Sequence, residues 1–113
     1  MRSLIKQVLI EETEQFDKRV LTYLRRHANI DEKTIGDDDW SFTVKSVSFN
    51  IDGDWYSITS FMSKKEMTNK IINMLDENNV IDFGEYQINV KDLDRQKMVK
   101  TVRYFIDSIF SKN

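Results

Sequence analysis

The chain has 113 residues, of which 40% are hydrophobic and 32% charged, with a formal net charge of −2. These values are typical of one globular domain and exclude a disordered chain or a strongly basic nucleic-acid-binding protein. The absence of cysteine excludes disulfides and thiolate metal sites and fits a reducing, cytoplasmic compartment. No apolar run approaches the roughly 18 residues that span a bilayer, so no membrane partner is expected.

The first predicted helix covers residues 3–28. Apolar side chains recur there at spacings of three and four, the period of a helix that buries one face. They form two patches: Leu4, Ile5, Val8 and Leu9, then Phe16, Val20, Tyr23 and Leu24. The polar residues 11–15 lie between them, so the helix either continues with a solvated middle or bends there. Arg25, Arg26 and His27 fill the last turn, and Asn29 is expected to end the helix, with Ile30 packing back on it.

Residues 30–41 read as a polar loop, and a β-hairpin is predicted over 42–62. Asp52-Gly53 is the two-residue turn that suits paired strands. With these two at the turn, the register is set: Phe49 faces Tyr56, Val47 faces Ile58, Ser48 faces Ser57, and Ser46 faces Thr59. One face is then apolar and the other carries hydroxyl groups, as in a sheet that is covered on a single side.

The remaining elements are two helices and one strand. Ser63 and Glu66 form a capping box that opens a helix over 63–78. Alternation in residues 84–90 predicts a third strand beside strand one or two, and Asp92 is expected to cap a helix over 92–111. The expected fold is a single α+β domain of order α-β-β-α-β-α. Its small three-stranded, mainly antiparallel sheet carries helices on one face and leaves the hydroxyl face open.

The residue types that catalysis and metal binding require are scarce in this chain. His27 is the only histidine, and a helix-ending Arg-Arg-His cluster is typical of a surface residue that offsets the helix dipole. Asp37, Asp38 and Asp39 lack calcium-loop spacing and are interpreted as a solvated loop. With only three glycines there is no glycine-rich phosphate loop. We therefore expect no enzymatic activity, no metal and no cofactor.

Surplus apolar side chains suggest a protein interface. They are the patch Leu4, Ile5, Val8 and Leu9, together with Trp40, Trp55 and Phe61. In the predicted hairpin, Trp55 and Phe61 fall on the otherwise polar face, and aromatic residues on a solvated face are characteristic of interfaces. The alternative is that the amino-terminal helix folds back over this face. The partner would be another protein or a second copy.

Nucleic-acid binding is the alternative function, based on basic side chains and one tryptophan. The candidate phosphate contacts are Arg25, Arg26, Lys64, Lys65, Lys97, Lys100 and Arg103. Trp55 could stack on a base, as aromatic residues do in single-strand-binding sheets. The competing interpretation is that these cations are the solvated faces of amphipathic helices.

The opening segment, Leu4-Ile5-Lys6-Gln7-Val8-Leu9-Ile10-Glu11-Glu12, resembles the start of small uncharacterised proteins encoded by tailed phages. The usage of Lys, Asn, Ile and Asp is similar to theirs. This resemblance implies a viral protein of the host cytoplasm or the virion, and it assigns no catalytic or binding residue. The leading hypothesis is a non-enzymatic protein-interaction module, either a small subunit of a larger assembly or an inhibitor of a host protein.

Overall fold

The computed structural model describes residues 16–110. Three helices, five strands and one 3₁₀ turn follow one another along this part of the chain. They are α1 (Lys18–His27), β1 (Ala28–Gly36), β2 (Ser41–Ile51), β3 (Asp54–Thr59), α2 (Lys64–Asn78), β4 (Val80–Asp82), β5 (Gln87–Asn89), the 3₁₀ turn (Val90–Asp92) and α3 (Arg95–Phe110). No helix within 16–110 is long and apolar enough to cross a membrane.

The predicted hairpin is confirmed in position and in register. Phe49 pairs with Tyr56 and Ser48 with Ser57 across β2 and β3. The turn residues Asp52 and Gly53 both have positive φ, 52° and 90°, because a tight turn with that backbone matches the twist of the strands. The α+β class and a three-stranded antiparallel sheet are confirmed as well, with strand order β1-β2-β3.

The polar loop predicted over 30–41 is wrong, because residues 28–36 form strand β1. This strand pairs with β2 along its whole length, from Ala28 opposite Phe49 to Gly36 opposite Ser41. Asn29 does not end the preceding helix, since α1 passes directly into β1 at Ala28 with extended backbone (φ −77°, ψ 128°). Ile30 lies exposed on the strand and does not pack back toward the helix. Because both faces of β1 are solvated, the strand lacks the apolar alternation that would have revealed it.

The strand predicted over 84–90 does not join the main sheet. It is shortened to β5, which pairs with β4 in a separate two-stranded sheet. Asn79 adopts a left-handed conformation (φ 65°) at the end of α2 and turns the chain straight into β4. Gly84, with φ 85°, lies in the turn that brings β5 back. The observed order is therefore α-β-β-β-α-β-β-α.

The three helices begin where a side chain caps the first turn. Ser63 accepts a hydrogen bond from the backbone N–H of Glu66 (3.1 Å), as the capping box predicts. The last helix begins at Arg95, because Asp94 and not Asp92 accepts from the amides of its first turn. Helix α1 begins at Lys18 behind Asp17, and residues 3–15 of the predicted first helix lie outside the described residues.

The core lies between one face of the main sheet and the three helices. Val47, Phe49 and Ile58 form the buried side of the sheet. The Phe49 ring lies 6.0 Å from the ring of Phe105, which joins β2 to α3. The other buried apolar side chains are Val20, Tyr23, Leu24, Ile51, Met67, Ile71, Ile72, Met74, Leu75, Ile81, Val90, Met98, Val102 and Ile106. Side chains alternate between the two faces along each strand, and the buried ones lie on the face toward the helices. Among residues 16–110, no helix packs on the opposite face.

A buried hydrogen bond connects the start of α1 to the middle of α3, and we expect its loss to destabilise the fold. The backbone N–H of Asp17 donates to Thr101 Oγ1 (2.8 Å). Thr101→Val would leave this amide without a partner, at a cost of about 1–3 kcal/mol in the free energy of unfolding. Thr68→Val is the matched control, since the Thr68 hydroxyl only donates to the Lys64 carbonyl of its own helix. Urea denaturation of both variants measures the difference, and equal losses would contradict it.

Asp17 also makes the stability depend on pH. Burial opposes ionisation of this carboxyl, but hydrogen bonds from the side chain and backbone of Arg19 outweigh burial and lower its pKa below 3.8. A lowered carboxyl pKa contributes stability that is present above the unfolded-state pKa and is lost as the pH falls through the folded-state value. We expect the free energy of unfolding to fall on acidification below about pH 4. Asp17→Asn, which keeps a capping oxygen, should reduce that slope in urea titrations, and an unchanged slope would exclude Asp17 as its source.

Candidate protein-interaction surface

The face of the main sheet that lies away from the helices is called the open face. A hydroxyl band crosses its centre, where Ser46 pairs with Thr59 and Ser48 with Ser57. The alternation of side chains in β2 places Phe42 and Val44 on the same face as Ser46 and Ser48. Polar groups thus occupy the middle of the open face, and apolar side chains lie toward the start of β2.

Three exposed aromatic residues contact one another at that end and are called the aromatic cluster. The Trp40 and Phe42 rings stack with centroids 5.8 Å apart, and the Phe42 and Phe61 rings meet edge to face at 6.1 Å. Their exposed fractions are 57% for Trp40, 41% for Phe42 and 73% for Phe61. Ile35, also exposed, lies beside Phe42 in the β1–β2 register. The cluster is a contiguous apolar surface, which single exposed side chains do not provide.

A tight loop between β1 and β2 holds Trp40 in this cluster. Asp37 Oδ1 accepts hydrogen bonds from the amides of Asp39 (2.9 Å) and Trp40 (3.3 Å), so the first of the three acidic residues stabilises the turn. The Asp37 amide donates to the Trp40 carbonyl (2.7 Å). Gly36 has φ 137°, and a Cβ atom there would lie 2.2 Å from the Trp40 carbonyl oxygen. Only glycine fits this position, so Trp40 is fixed by backbone geometry.

Trp55 lies on the open face but does not join the aromatic cluster. It pairs with Asn50 next to the Asp52-Gly53 turn and is 65% exposed. Asn50 lies eight residues after Phe42 along β2, which separates the two aromatic sites by roughly 25 Å. The open face therefore has aromatic groups at both ends and the hydroxyl band between them.

Sequence reasoning found some of these residues and missed others. Trp40, Trp55 and Phe61 were predicted interface residues, and the structure places two of the three together. Ile35 was missed because residues 30–41 are predicted to be a polar loop, and Phe42 was missed although it is the first residue of the predicted hairpin. The even-numbered parity of Phe42 with Ser46 and Ser48 was the available signal. The predicted patch Leu4, Ile5, Val8 and Leu9 lies outside the described residues.

The basic residues proposed for nucleic-acid contact fall on separate surfaces. Lys64, Lys65 and Arg103 line a cavity of about 350 Å³ between α2 and α3, and Asp107 lies in the same cavity. The Lys64 ammonium is bonded to the Asp107 carboxylate at 2.5 Å, which offsets part of the positive charge.

The other candidate cations lie elsewhere. The Arg26 guanidinium lies 5.4 Å over the Phe83 ring, beside β4 and β5, and Arg25 is exposed in the same helical turn. Lys97 and Lys100 are exposed along α3. Arg26 therefore lines a different cavity from Lys64, Lys65 and Arg103.

The remaining polar candidates have local structural contacts. The His27 ring lies 4.5 Å from the Tyr23 ring at the end of α1. In the part of the chain that the structure describes, no three His, Asp or Glu side chains come together as metal ligands. Asp76 instead forms a two-bond pair with Arg95 (3.0 and 2.8 Å), which lowers the pKa of that carboxyl through those hydrogen bonds. Comparisons with protein-family models, curated proteins and solved structures found no match for this chain.

Proposed function

We propose that this protein is a non-enzymatic protein-interaction module that binds its partner through the open face. The aromatic cluster of Trp40, Phe42 and Phe61 is the observation that carries this proposal. Such a module acts as a small subunit of a larger assembly or as an inhibitor of a host protein. On the phage resemblance the partner belongs to the virion or to the host cytoplasm.

Two properties of the cluster support binding to a protein. Trp and other aromatic side chains supply large contact areas at little cost in conformational entropy, and they dominate the binding energy of many interfaces. The neighbouring hydroxyl band, including Ser48 and Ser57, offers donors and acceptors of the kind found at the rim of such contacts. The aromatic cluster and the adjacent hydroxyl band together supply the apolar and the polar contacts that protein interfaces combine.

The proposal is tested by quantitative capture from an extract of the natural source. Trp40→Ser and Phe61→Ser remove exposed groups, so folding should persist while affinity for the partner falls. Loss of a dominant contact costs about 2 kcal/mol or more, which corresponds to roughly thirtyfold weaker binding per substitution.

Tyr86→Ser is the matched control, because Tyr86 is 53% exposed but lies on β5's side of the molecule, against Phe83. A protein retained by the wild type and by the control, and lost by both cluster variants, supports the proposal. If the captured proteins do not differ among the variants, the open face is not the binding surface.

A second candidate is nucleic-acid binding at the cavity lined by Lys64, Lys65 and Arg103. The observation that favours it is the convergence of three cations from two helices. Binding there should weaken steeply with salt, because phosphate contacts release counterions. Lys65→Ala and Arg103→Ala should each reduce the slope against salt concentration. An absence of binding to single strands, duplex DNA and RNA at low salt would remove this candidate.

A further inference from the structure

Within residues 16–110, strand β1 is an edge of the main sheet. The strand order β1-β2-β3 pairs one side of β1 with β2, and no strand within residues 16–110 pairs with its other side. Residues 29–36 are all exposed. An edge of nine residues exposes a row of N–H and C=O groups that can accept a further strand.

The hydrogen-bond pattern shows which residues face outward. The Asp37 amide bonds to the Trp40 carbonyl at the end of the hairpin. In an antiparallel ladder, hydrogen-bonded pairs alternate with pairs that are not hydrogen-bonded. Asp37–Trp40 is a bonded pair, so Ile35–Phe42 and every second pair after it are also hydrogen-bonded between β1 and β2. The outward N–H and C=O groups therefore belong to Ala28, Ile30, Glu32, Thr34 and Gly36.

We propose that β1 pairs antiparallel with β1 of a second copy of this chain, around a two-fold axis at Glu32. A closed two-fold pairing keeps each side chain on its own face and uses only outward-facing groups. In this register Ile30 lies opposite Thr34, and Ala28 lies opposite Gly36. Asp31 lies opposite Lys33 of the second copy, and the symmetry repeats this oppositely charged pair.

Charge complementarity extends beyond the strand. The three acidic residues Asp37, Asp38 and Asp39 follow Gly36 at the tip of the β1–β2 hairpin. Gly36 lies opposite Ala28 of the second copy, so the acidic tip is directed at the end of that copy's α1. This helix ends with Arg25, Arg26 and His27. The same contact occurs twice, once on each side of the axis.

Competing self-pairings lack this match. A two-fold axis at Asp31 places the Asp31 carboxylates of the two copies together, and an axis at Lys33 places the two Lys33 ammonium groups together. In neither register does Asp31 lie opposite Lys33. The proposed axis brings two Glu32 carboxylates together, which is unfavourable. Each of them has Lys45 opposite it on β2, so a cation lies on the same face.

This inference concerns the edge of the sheet and is independent of the function proposed for the open face. Edge pairing would extend the sheet to six strands and leave the aromatic cluster of each copy accessible on the open face. Trp40→Ser and Phe61→Ser should therefore leave the dimer intact. Failure of either proposal would not imply failure of the other.

The test is solution mass by light scattering over a wide concentration range, with charge-reversal variants of β1. Asp31→Lys and Lys33→Asp each convert both cross-strand pairs to like charges, so each variant should dissociate at least roughly tenfold more readily than the wild type. Mixing the two variants restores opposite charges across the edge and should yield a heterodimer. This rescue also demonstrates that both variants are folded.

Three results would overturn the proposal. One is a wild-type monomer at every concentration. Another is a dimer whose dissociation constant is unchanged by either substitution, since that dimer uses another surface. The third is single variants that remain monomeric when mixed, because the charge pair would then not decide the pairing. Recovery of the dimer in the mixture, with circular dichroism of the wild type in both variants, supports it.

Discussion

Phe105→Ala is expected to lower the free energy of unfolding by about 3–5 kcal/mol, the largest effect of any substitution considered for this chain. The Phe105 side chain is 2% exposed and contacts Phe49 across the interface between α3 and β2. Its removal forfeits the transfer energy of the ring and leaves a cavity that the packed neighbours fill only in part. Urea denaturation followed by circular dichroism measures the change.

Phe61→Ala is the matched control, because it makes the same chemical change on the exposed surface. Phe61 contacts Phe42 but lies outside the core, so the free energy of unfolding should change by less than about 0.5 kcal/mol. A large loss of stability in Phe61→Ala would mean that the aromatic cluster is buried in the folded protein. The surface assignment of the cluster would then be wrong.

Gly36→Ala is expected to break the loop that holds Trp40. The new Cβ would lie 2.2 Å from the Trp40 carbonyl oxygen, and backbone cannot move aside as a flexible side chain can. The positive φ of 137° adds a cost of about 1–3 kcal/mol for a residue with a side chain. We expect loss of the hydrogen bond between the Asp37 amide and the Trp40 carbonyl, and release of Trp40 from Phe42. Trp40 fluorescence reports this in a Trp55→Phe background, because the chain has two tryptophans.

Gly53→Ala is the control that distinguishes the effect of the Cβ clash from the effect of the positive φ. Gly53 also has positive φ, 90°, but a Cβ there would meet no atom within 4 Å. This control carries the backbone cost without the clash, so the emission of Trp40 should stay at the wild-type value. If Gly53→Ala and Gly36→Ala change the Trp40 signal equally, the loop does not position Trp40 in the way proposed.

Elements could be predicted from the sequence where neighbouring residues specify a structure that the folded protein also adopts. The Asp52-Gly53 turn and the alternation of Val47, Phe49 and Ile58 specify one register, since a slip would move every apolar side chain to the other face. The capping box at Ser63 likewise fixes the start of α2. These features depend on residues close together in the chain, so they could be predicted without knowledge of the fold.

Strand β1 could not be predicted in the same way, because its exposed residues lack the apolar alternation of a half-buried strand. It is a strand because the start of β2 extends beyond β3, and β1 supplies the pairing partner there. Its own residues, such as Asp31, Glu32 and Lys33, have solvated faces and no strand-like pattern. The β4–β5 pairing was missed because β4 is only three residues long and begins directly after the left-handed Asn79 at the end of α2.

The candidate site was also predictable only in part. Trp40, Trp55 and Phe61 could be recognised as surplus aromatic residues from composition and strand parity. Their grouping could not, because the contact of Phe42 with both Trp40 and Phe61 depends on the hairpin that β1 forms. A sequence shows which aromatic side chains are present, but only the fold shows which of them contact one another.

The most direct test of the proposed function is site-specific photo-crosslinking in an extract of the natural source. A photoreactive phenylalanine analogue replaces Phe61 in the aromatic cluster or, as the control, Tyr86 in the turn between β4 and β5. We expect a discrete covalent adduct with one protein from position 61 and none from position 86. Identical adducts from both positions, or no adduct from position 61, would contradict the assignment of the open face as the binding surface.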